Sequence, residues 1–490
     1  MVGFVDETFR DGPQSLWATR MRTATMLGGA EWVNRAGFNK VCVTSGAAFE
    51  TAVRFLGENP WDRLRLLRAH LPDANLEVLI RSRNLFGWAQ YPDDVVELLF
   101  RCLRDTGTDW LKVFDGLNDF RNIAAHFAIA RHVGLKSAGM IAFSLSPVHT
   151  DRYFAGKAAE LVGYGVDTVM VADASGLMTA ERSRSMLGAI KAAIGDVPLE
   201  FYAHHSMGLA HEAYREAIGV GAATLTVASR PLANGESVPA TRDIAAIARS
   251  VGAPADLDIE AIEKLDDYLT WAAYQEGRPV PAPAKFHRKA YDAFAGHQIP
   301  GGMISNFRNQ LRELGLIHRL REVLEEASRV RMELGYPVMV TPFSQFVGVQ
   351  ATMNVIQGER YKTIPNELVS FVRGTYGSPA APIDQNVKDR VLNGASLDPI
   401  NLVEQYARPM LGEFARTHGP FGSHEDLLLH LFYGRDHVAA MYASGVVLEP
   451  KPVRDVPLAA LIKELLKTPK LRSVRVERPG AKLQMRLARA

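Results

Sequence analysis

The residues of this chain best suited to chemistry stand near its start, in Asp6-Glu7-Thr8-Phe9-Arg10-Asp11-Gly12-Pro13-Gln14-Ser15. Phe4 and Val5 lead in as the end of a short strand, and Gly12-Pro13 must turn the chain. A carboxylate held at the lip of a strand can ligate a metal. A neighbouring arginine and glutamine can grip an anionic or carbonyl oxygen. Alone, the stretch also reads as a turn with a surface salt bridge, the common fate of exposed charges. What decides between them is the architecture built around it.

Short apolar runs alternate with helical spacing through the first half of the chain. The pattern predicts strands at Gly3–Asp6, Lys40–Thr44, Glu77–Arg81, Trp110–Phe114, Gly139–Ser144, Thr168–Ala172, Leu199–His204 and Ala223–Ala228. Helical spacing between them includes Asp93–Thr106, Asp119–Val133, Thr150–Tyr164, Thr179–Ile194 and Leu209–Gly219. Eight such alternations within about 250 residues predict an α/β fold, a (β/α)8 TIM barrel. In that fold chemistry sits where strands end. The residues to weigh there are Arg10, Asp11, Gln14, Arg81, Asp115, Asn118, Asp173, His204, His205 and Asn234. The proline-rich Gly277–Ala284 reads as a stiff connector. It divides the barrel, 1–276, from a mainly helical C-terminal domain, 285–490. In that domain Phe307–Leu334 has strong helical periodicity, and the basic end of the chain reads as a solvated terminal segment.

Bulk properties narrow the function classes. The chain has 490 residues, 47% hydrophobic and 22% charged, an ordinary balance for a soluble enzyme. A formal net charge of +2 gives no reason to invoke nucleic acid or an anionic membrane. Its 2 cysteines, Cys42 and Cys102, exclude a disulfide framework or a cysteine-rich zinc site and point to a reducing compartment. No signal peptide and no bilayer-spanning run stands out, so a cytoplasmic protein is expected.

Asp6–Arg20 (DETFRDGPQSLWATR) resembles the opening of the carboxyltransferase domain of pyruvate carboxylase, of the oxaloacetate decarboxylase alpha subunit and of the transcarboxylase 5S subunit. Similar segments follow in order: Arg81–Asp93, Phe114–Asn122, Ser144–Tyr153, His297–Asn306, Thr341–Gln350 and Tyr361–Asp384. The resemblance implies a barrel whose mouth is covered by a conserved carboxylase domain. It further implies a keto acid bound by Arg81 and Gln14, with Arg10 beside them and Asp115 and Asn118 as further substrate-binding candidates. Carboxyl transfer would run through an enolate, and by analogy with relatives the chain would form a homo-oligomer. A divalent metal would be held by Asp11, by a carbamylated lysine on strand six and by two histidines of a His-x-His on strand seven.

The sequence departs from that pattern at three places. The lysine position is Ala172. The first histidine position is Tyr202, the second is His204, and His205 falls where the family has an aspartate. Tyr202 and His204 share a strand face, and His205 points elsewhere. Where the resemblance puts a proton-shuttling threonine stands Asn234-Gly235-Glu236-Ser237, with Glu236 at the equivalent count. A zinc, manganese or cobalt ion on Asp11 and His204 therefore stays open. There is no Met-Lys-Met biotin-attachment pattern, so biotin would arrive on a separate carrier protein charged by a biotin carboxylase. Three readings remain: such a carboxyltransferase or decarboxylase subunit; a biotin-independent C–C lyase, aldolase or decarboxylase of the hydroxymethylglutaryl-lyase-like superfamily, with Tyr202, His204 or His205 as acid–base groups; or a non-catalytic scaffold subunit.

Overall fold

The computed structural model describes residues 1–299, 315–393 and 406–446, with 304, 307–308, 311–313, 448–449, 473–478 and 481–486. Eight parallel strands close into a barrel in sequence order: β1 (Gly3–Asp6), β2 (Lys40–Ser45), β3 (Leu76–Arg81), β4 (Trp110–Phe114), β5 (Lys136–Ala142), β6 (Thr168–Asp173), β7 (Leu199–Ala203) and β8 (Thr224–Val227). Closure joins β1 to β8 in register from Gly3 with Thr224 to Asp6 with Val227. The strands are apolar on both faces because helices cover the outside and side chains fill the lumen. Thr150, Thr179 and Asp258 cap Asp151–Gly163, Ala180–Ile194 and Ile259–Gln275 by accepting backbone N–H bonds.

The largest difference from the expected strands is at β5, which begins and ends earlier than Gly139–Ser144. Its polar start, Lys136-Ser137, is held by the barrel rim. Lys136 N–H donates to the Asp109 carbonyl, and the Lys136 ammonium lies 5.4 Å from the Trp110 ring centroid. Asp11–Leu16 is a short helix rather than a bare turn, with Asp11 and Pro13 in its first turn.

The lumen carries a buried ionic layer. Lys40 opens β2, and Glu77, Lys112 and Glu200 stand between apolar neighbours in β3, β4 and β7. Lys40 Nζ lies 2.6 Å from both Glu77 Oε1 and Glu200 Oε2. Lys112 Nζ lies 2.7 Å from Glu77 Oε2, 2.9 Å from Glu7 Oε1 and 3.4 Å from Glu200 Oε1. Burial opposes the Lys112 charge, yet Glu7, Glu77 and Glu200 hold its pKa well above the ordinary lysine value. Burial likewise opposes the Glu77 carboxylate, but Lys112 and Lys40 bring it down to about 2.

The region expected as one C-terminal domain contributes to two cores. Helices Leu320–Glu333, Phe343–Gln357 and Asn366–Val372 enclose Phe343, Phe346, Val347, Leu368 and Phe371 in a separate cluster above the barrel mouth. His424–Tyr433 and Arg435–Ala443 instead add Leu428, Phe432, Val438 and Met441 to the barrel's own core. The roof meets the loop after β4 closely: a Cβ on Gly116 would stand 2.5 Å from Phe343 Cε2. Gly377, at φ +96°, lets Ser378 N–H reach Asp119 Oδ2 at 2.8 Å. Ser473–Arg478 and Ala481–Arg486 form an antiparallel hairpin, whereas Lys467, Lys470 and Arg472 of the basic end lie outside the described residues. Among the described residues no helix is long and apolar enough to cross a membrane.

Two expectations follow. Lys112→Met strands carboxylates in the lumen, so it should lower unfolding free energy by about 3–5 kcal/mol or prevent folding, as read by denaturant unfolding. Asp6, which closes β1, takes its side-chain hydrogen bonds from Thr8, and burial pushes it up to about 7 from 3.8. The folded chain therefore keeps this proton where the unfolded chain has lost it. From pH ~4 to ~7 wild type should lose stability relative to Asp6→Asn, by a few kcal/mol, in pH-dependent melts of the two proteins.

Candidate active site

A cavity of about 500 Å³ opens at the C-terminal ends of the strands, where Arg10, Asp11, Gln14, Arg81, Ala172, Tyr202, His204 and Glu236 all contribute to its wall. The roof closes it with Val338, Met339, Val340, Thr341 and Gln345.

Asp11 is the hub. The Tyr202 hydroxyl donates to Asp11 Oδ1 at 2.8 Å. That leaves the phenol oxygen as acceptor for His204 Nε2–H at 2.5 Å, and His204 Nε2 is also 3.3 Å from each Asp11 oxygen. Ser15 Oγ donates to Oδ1 at 3.2 Å, and Ser237 Oγ to Oδ2 at 2.9 Å. Arg10 joins this hub to the ionic layer: its Nε is 2.6 Å from Glu7 Oε2 and its Nη1 is 3.2 Å from Asp11 Oδ1. Burial would raise the Asp11 pKa, but His204 and Arg10 hold it far below the usual carboxylate range. Burial works against a charge on His204, and Asp11 outweighs it, so His204 is raised. Burial, then Asp11, push the Tyr202 phenol well above its ordinary value, so it stays neutral.

Arg81 presents the opposite case. Its Nη2 donates to Gly87 O at 2.7 Å and it lies 4.8 Å from the Trp88 ring centroid, while its buried Nε has no partner among the described residues. Among those residues no carboxylate pairs with it: Glu50, on the same wall, is held by Trp88 Nε1 at 3.0 Å and by Arg54 at 3.0 Å. Burial lowers the Arg81 pKa, with Glu50 partly offsetting it. A half-buried guanidinium without a counter-ion is a ready anion site. Gln14 also lines the cavity, its Oε1 accepting from Ser45 Oγ at 2.8 Å.

The remaining expected site residues stand at the cavity rim or outside it. Asp115 and Asn118 do not line the cavity, because hydrogen bonds to their own loop, to Ser82 after β3 and to Ala142 of β5 use them. Asp115 accepts from Ser82, Asn122 and the Leu117 and Asp119 amides; Asn118 exchanges hydrogen bonds with the Ala142 backbone at 2.8 and 2.9 Å. His205 turns away from the lumen and stacks on His211 at 4.3 Å; burial lowers it to about 4. Glu236 is exposed at the rim, and its neighbour Ser237 is the residue that reaches Asp11. The Asn234–Val238 turn explains the switch: Asn234 N–H donates to Val238 O, Ser237 N–H to Asn234 O, and His205 N–H to Ser237 O, which tucks Ser237 inward.

Among the described residues one group of three metal-capable side chains converges, Glu7, Cys42 and Glu77, below the cavity floor. Lys112 and Arg10 already occupy the carboxylates of that group.

Residues 295–449 match the conserved carboxylase domain. The chain is 36% identical over 458 residues to a pyruvate carboxylase subunit of Methanocaldococcus jannaschii, covering 92% of this chain and 79% of that protein. It is 31% identical over 440 residues to the methylmalonyl-CoA carboxyltransferase 5S subunit of Propionibacterium freudenreichii subsp. shermanii, covering 88% and 86%. The chain belongs to this family of carboxyltransferase subunits. Its structure superposes on the carboxyl transferase domain of Rhizobium etli pyruvate carboxylase with pyruvate and biocytin at a TM-score of 0.82, with 26% identity, covering 91% of this chain and 78% of that one.

Ser15, Ser237, Trp88 and the roof residues were not legible as site residues, since only the fold brings the first two to Asp11, Trp88 to Arg81 and the roof over the cavity. For Arg81, a guanidinium without a carboxylate partner among the described residues generates a direct expectation. Arg81→Ala should weaken binding of a small carboxylate such as pyruvate by roughly 10–100-fold, the loss of a charged hydrogen-bond pair worth ~1.5–3 kcal/mol, with Arg81→Lys recovering only part. Calorimetric titration reads this, and unchanged affinity in Arg81→Ala would refute the assignment.

Proposed function

We propose that this protein is a cytoplasmic carboxyltransferase subunit that moves a carboxyl group between a small keto acid and biotin carried on a separate chain, which a biotin carboxylase charges. The observation that carries this reading is Arg81, without a carboxylate partner among the described residues, in a roofed barrel mouth shared with Asp11, Gln14 and His204, in a chain of this family. Two buried cysteines, both free thiols, fit the reducing compartment.

Arg81 holds the substrate carboxylate. The keto oxygen then faces Gln14, whose side-chain N–H can meet charge as an enolate develops, while the Asp11–Tyr202–His204 chain fixes the wall beside it. The apolar side of the cavity, with Phe143, Phe294, Val338 and Met339, suits a hydrophobic ring and tether entering under the roof. Biotin, when delivered, supplies a carboxyl group on its ureido nitrogen. The substrate loses a proton from the carbon beside its carbonyl, that carbon takes the carboxyl group, and the proton ends on the vacated ureido nitrogen.

The Tyr202 phenol between Asp11 and His204 also favours a second reading, a biotin-independent C–C lyase using the same enolate. Oxaloacetate consumption by the purified chain, with and without added biocytin, separates the two. The carboxyltransferase reading expects consumption to depend on biocytin and to stop when avidin sequesters it. Full consumption in the presence of avidin would give the lyase reading.

A further inference from the structure

We infer that this centre takes no divalent metal, because the Tyr202 phenol occupies the place between Asp11 and His204 where such an ion would have to sit. The inference deepens the proposed function and rests on that reading of the cavity as the reaction site. The resemblance implies an ion bound by four side chains, at positions 11, 172, 202 and 204. Here those positions are Asp11, Ala172, Tyr202 and His204.

The donor set fails on three counts. First, the pair Asp11 and His204 has no third carboxylate, thiol or imidazole within reach among the described residues, whereas catalytic zinc usually keeps three protein ligands. Second, the faces of Asp11 and His204 that would bind an ion are turned to one another and to the phenol. Tyr202 OH is 2.8 Å from Asp11 and 2.5 Å from His204, closer than the 3.3 Å that separates His204 from Asp11 directly. Asp11 Oδ1 further receives Arg10 and Ser15, and Oδ2 receives Ser237. Third, the phenol is built in. Ala172 pairs with Tyr202 across β6 and β7, and Ala172, Ala228, Ala233 and Ala240 cluster with the Tyr202 ring. Tyr202 is 4% exposed, and the short side chains on either side are what leave a ring room to lie there. A small residue at 172 and a large one at 202 are thus complementary halves of one packing solution.

The other convergent group, Glu7, Cys42 and Glu77, is no substitute, since Lys112 and Arg10 fill it with protein cations at 2.6–2.9 Å. What takes the ion's structural role is a hydrogen-bonded chain, Asp11–Tyr202–His204, pinned by Ser237 and Arg10. Tyr202 is a positioning residue in this scheme as well as a wall of the cavity.

The test is metal content, which needs neither biotin nor a carrier and so fails or succeeds apart from the proposed function. The purified full chain is incubated separately with zinc, manganese and cobalt, desalted and measured by elemental analysis beside Asp11→Ala and Tyr202→His. Wild type should retain far less than one equivalent of each, no more than Asp11→Ala. Tyr202→His, checked as folded by circular dichroism and a cooperative melt, should gain about one equivalent of zinc, because it supplies a third ligand on the same strand face. About one equivalent in wild type, lost in Asp11→Ala, would overturn the inference. A folded Tyr202→His that gains no metal would equally overturn the claim that the phenol holds the ion's place.

Discussion

The site depends on a chain of buried charges that runs up the barrel lumen to its mouth. It starts at Lys40 with Glu77 and Glu200, continues through Lys112 to Glu7, and ends with Arg10 on Asp11. Each member would be strongly destabilising alone in an apolar interior and is tolerable only because its neighbours complete it. Such a network contributes little net stability against a well-packed hydrophobic core, but it fixes geometry, since any displacement leaves a charge unpaired. The consequence at the mouth is that Asp11 is not free to turn. Arg10 holds it from below and Ser237 from the side, and Tyr202 and His204 read its orientation from above.

Against this rigid floor, the substrate side is left incomplete. Arg81 lines the same cavity with a backbone carbonyl and the Trp88 ring as company. The Gln14 side-chain amide and a guanidinium without a carboxylate partner among the described residues suit a ligand with a carboxylate and an adjacent carbonyl. The roof contributes enclosure: Val338 to Thr341 arrive from a helical region with its own core, docked through Gly116, Gly377 and Arg331, whose Nη2 donates to Ser144 Oγ at 2.8 Å and Leu145 O at 2.9 Å. Electrostatic stabilisation of an enolate is strongest in such a shielded place.

The barrel was legible because its strands are near-continuous apolar runs at regular spacing, and β1, β4 and the start of β6 fall where that pattern puts them. The shared face of Tyr202 and His204 also followed from the alternation of strand β7. The ionic layer was not legible. Lys40, Glu77, Lys112 and Glu200 are single charges in separate strands, and only the register of the closed sheet brings them into contact. Asp115 and Asn118 stand at a strand end as the pattern puts them, but hydrogen bonds within their loop and to Ser82 and Ala142 use them, which residue type alone does not show. Glu236 and Ser237 differ by one position, and a tight turn with Asn234 at φ +67° decides which of them faces inward.

The central claim is that these residues form and hold an enolate of a keto acid. Proton NMR of pyruvate in D2O with the purified chain tests it most directly. The account predicts exchange of the methyl protons for deuterium, lost in Arg81→Ala and strongly slowed in Asp11→Ala. No exchange above buffer with wild-type protein, or exchange that survives Arg81→Ala unchanged, would contradict it.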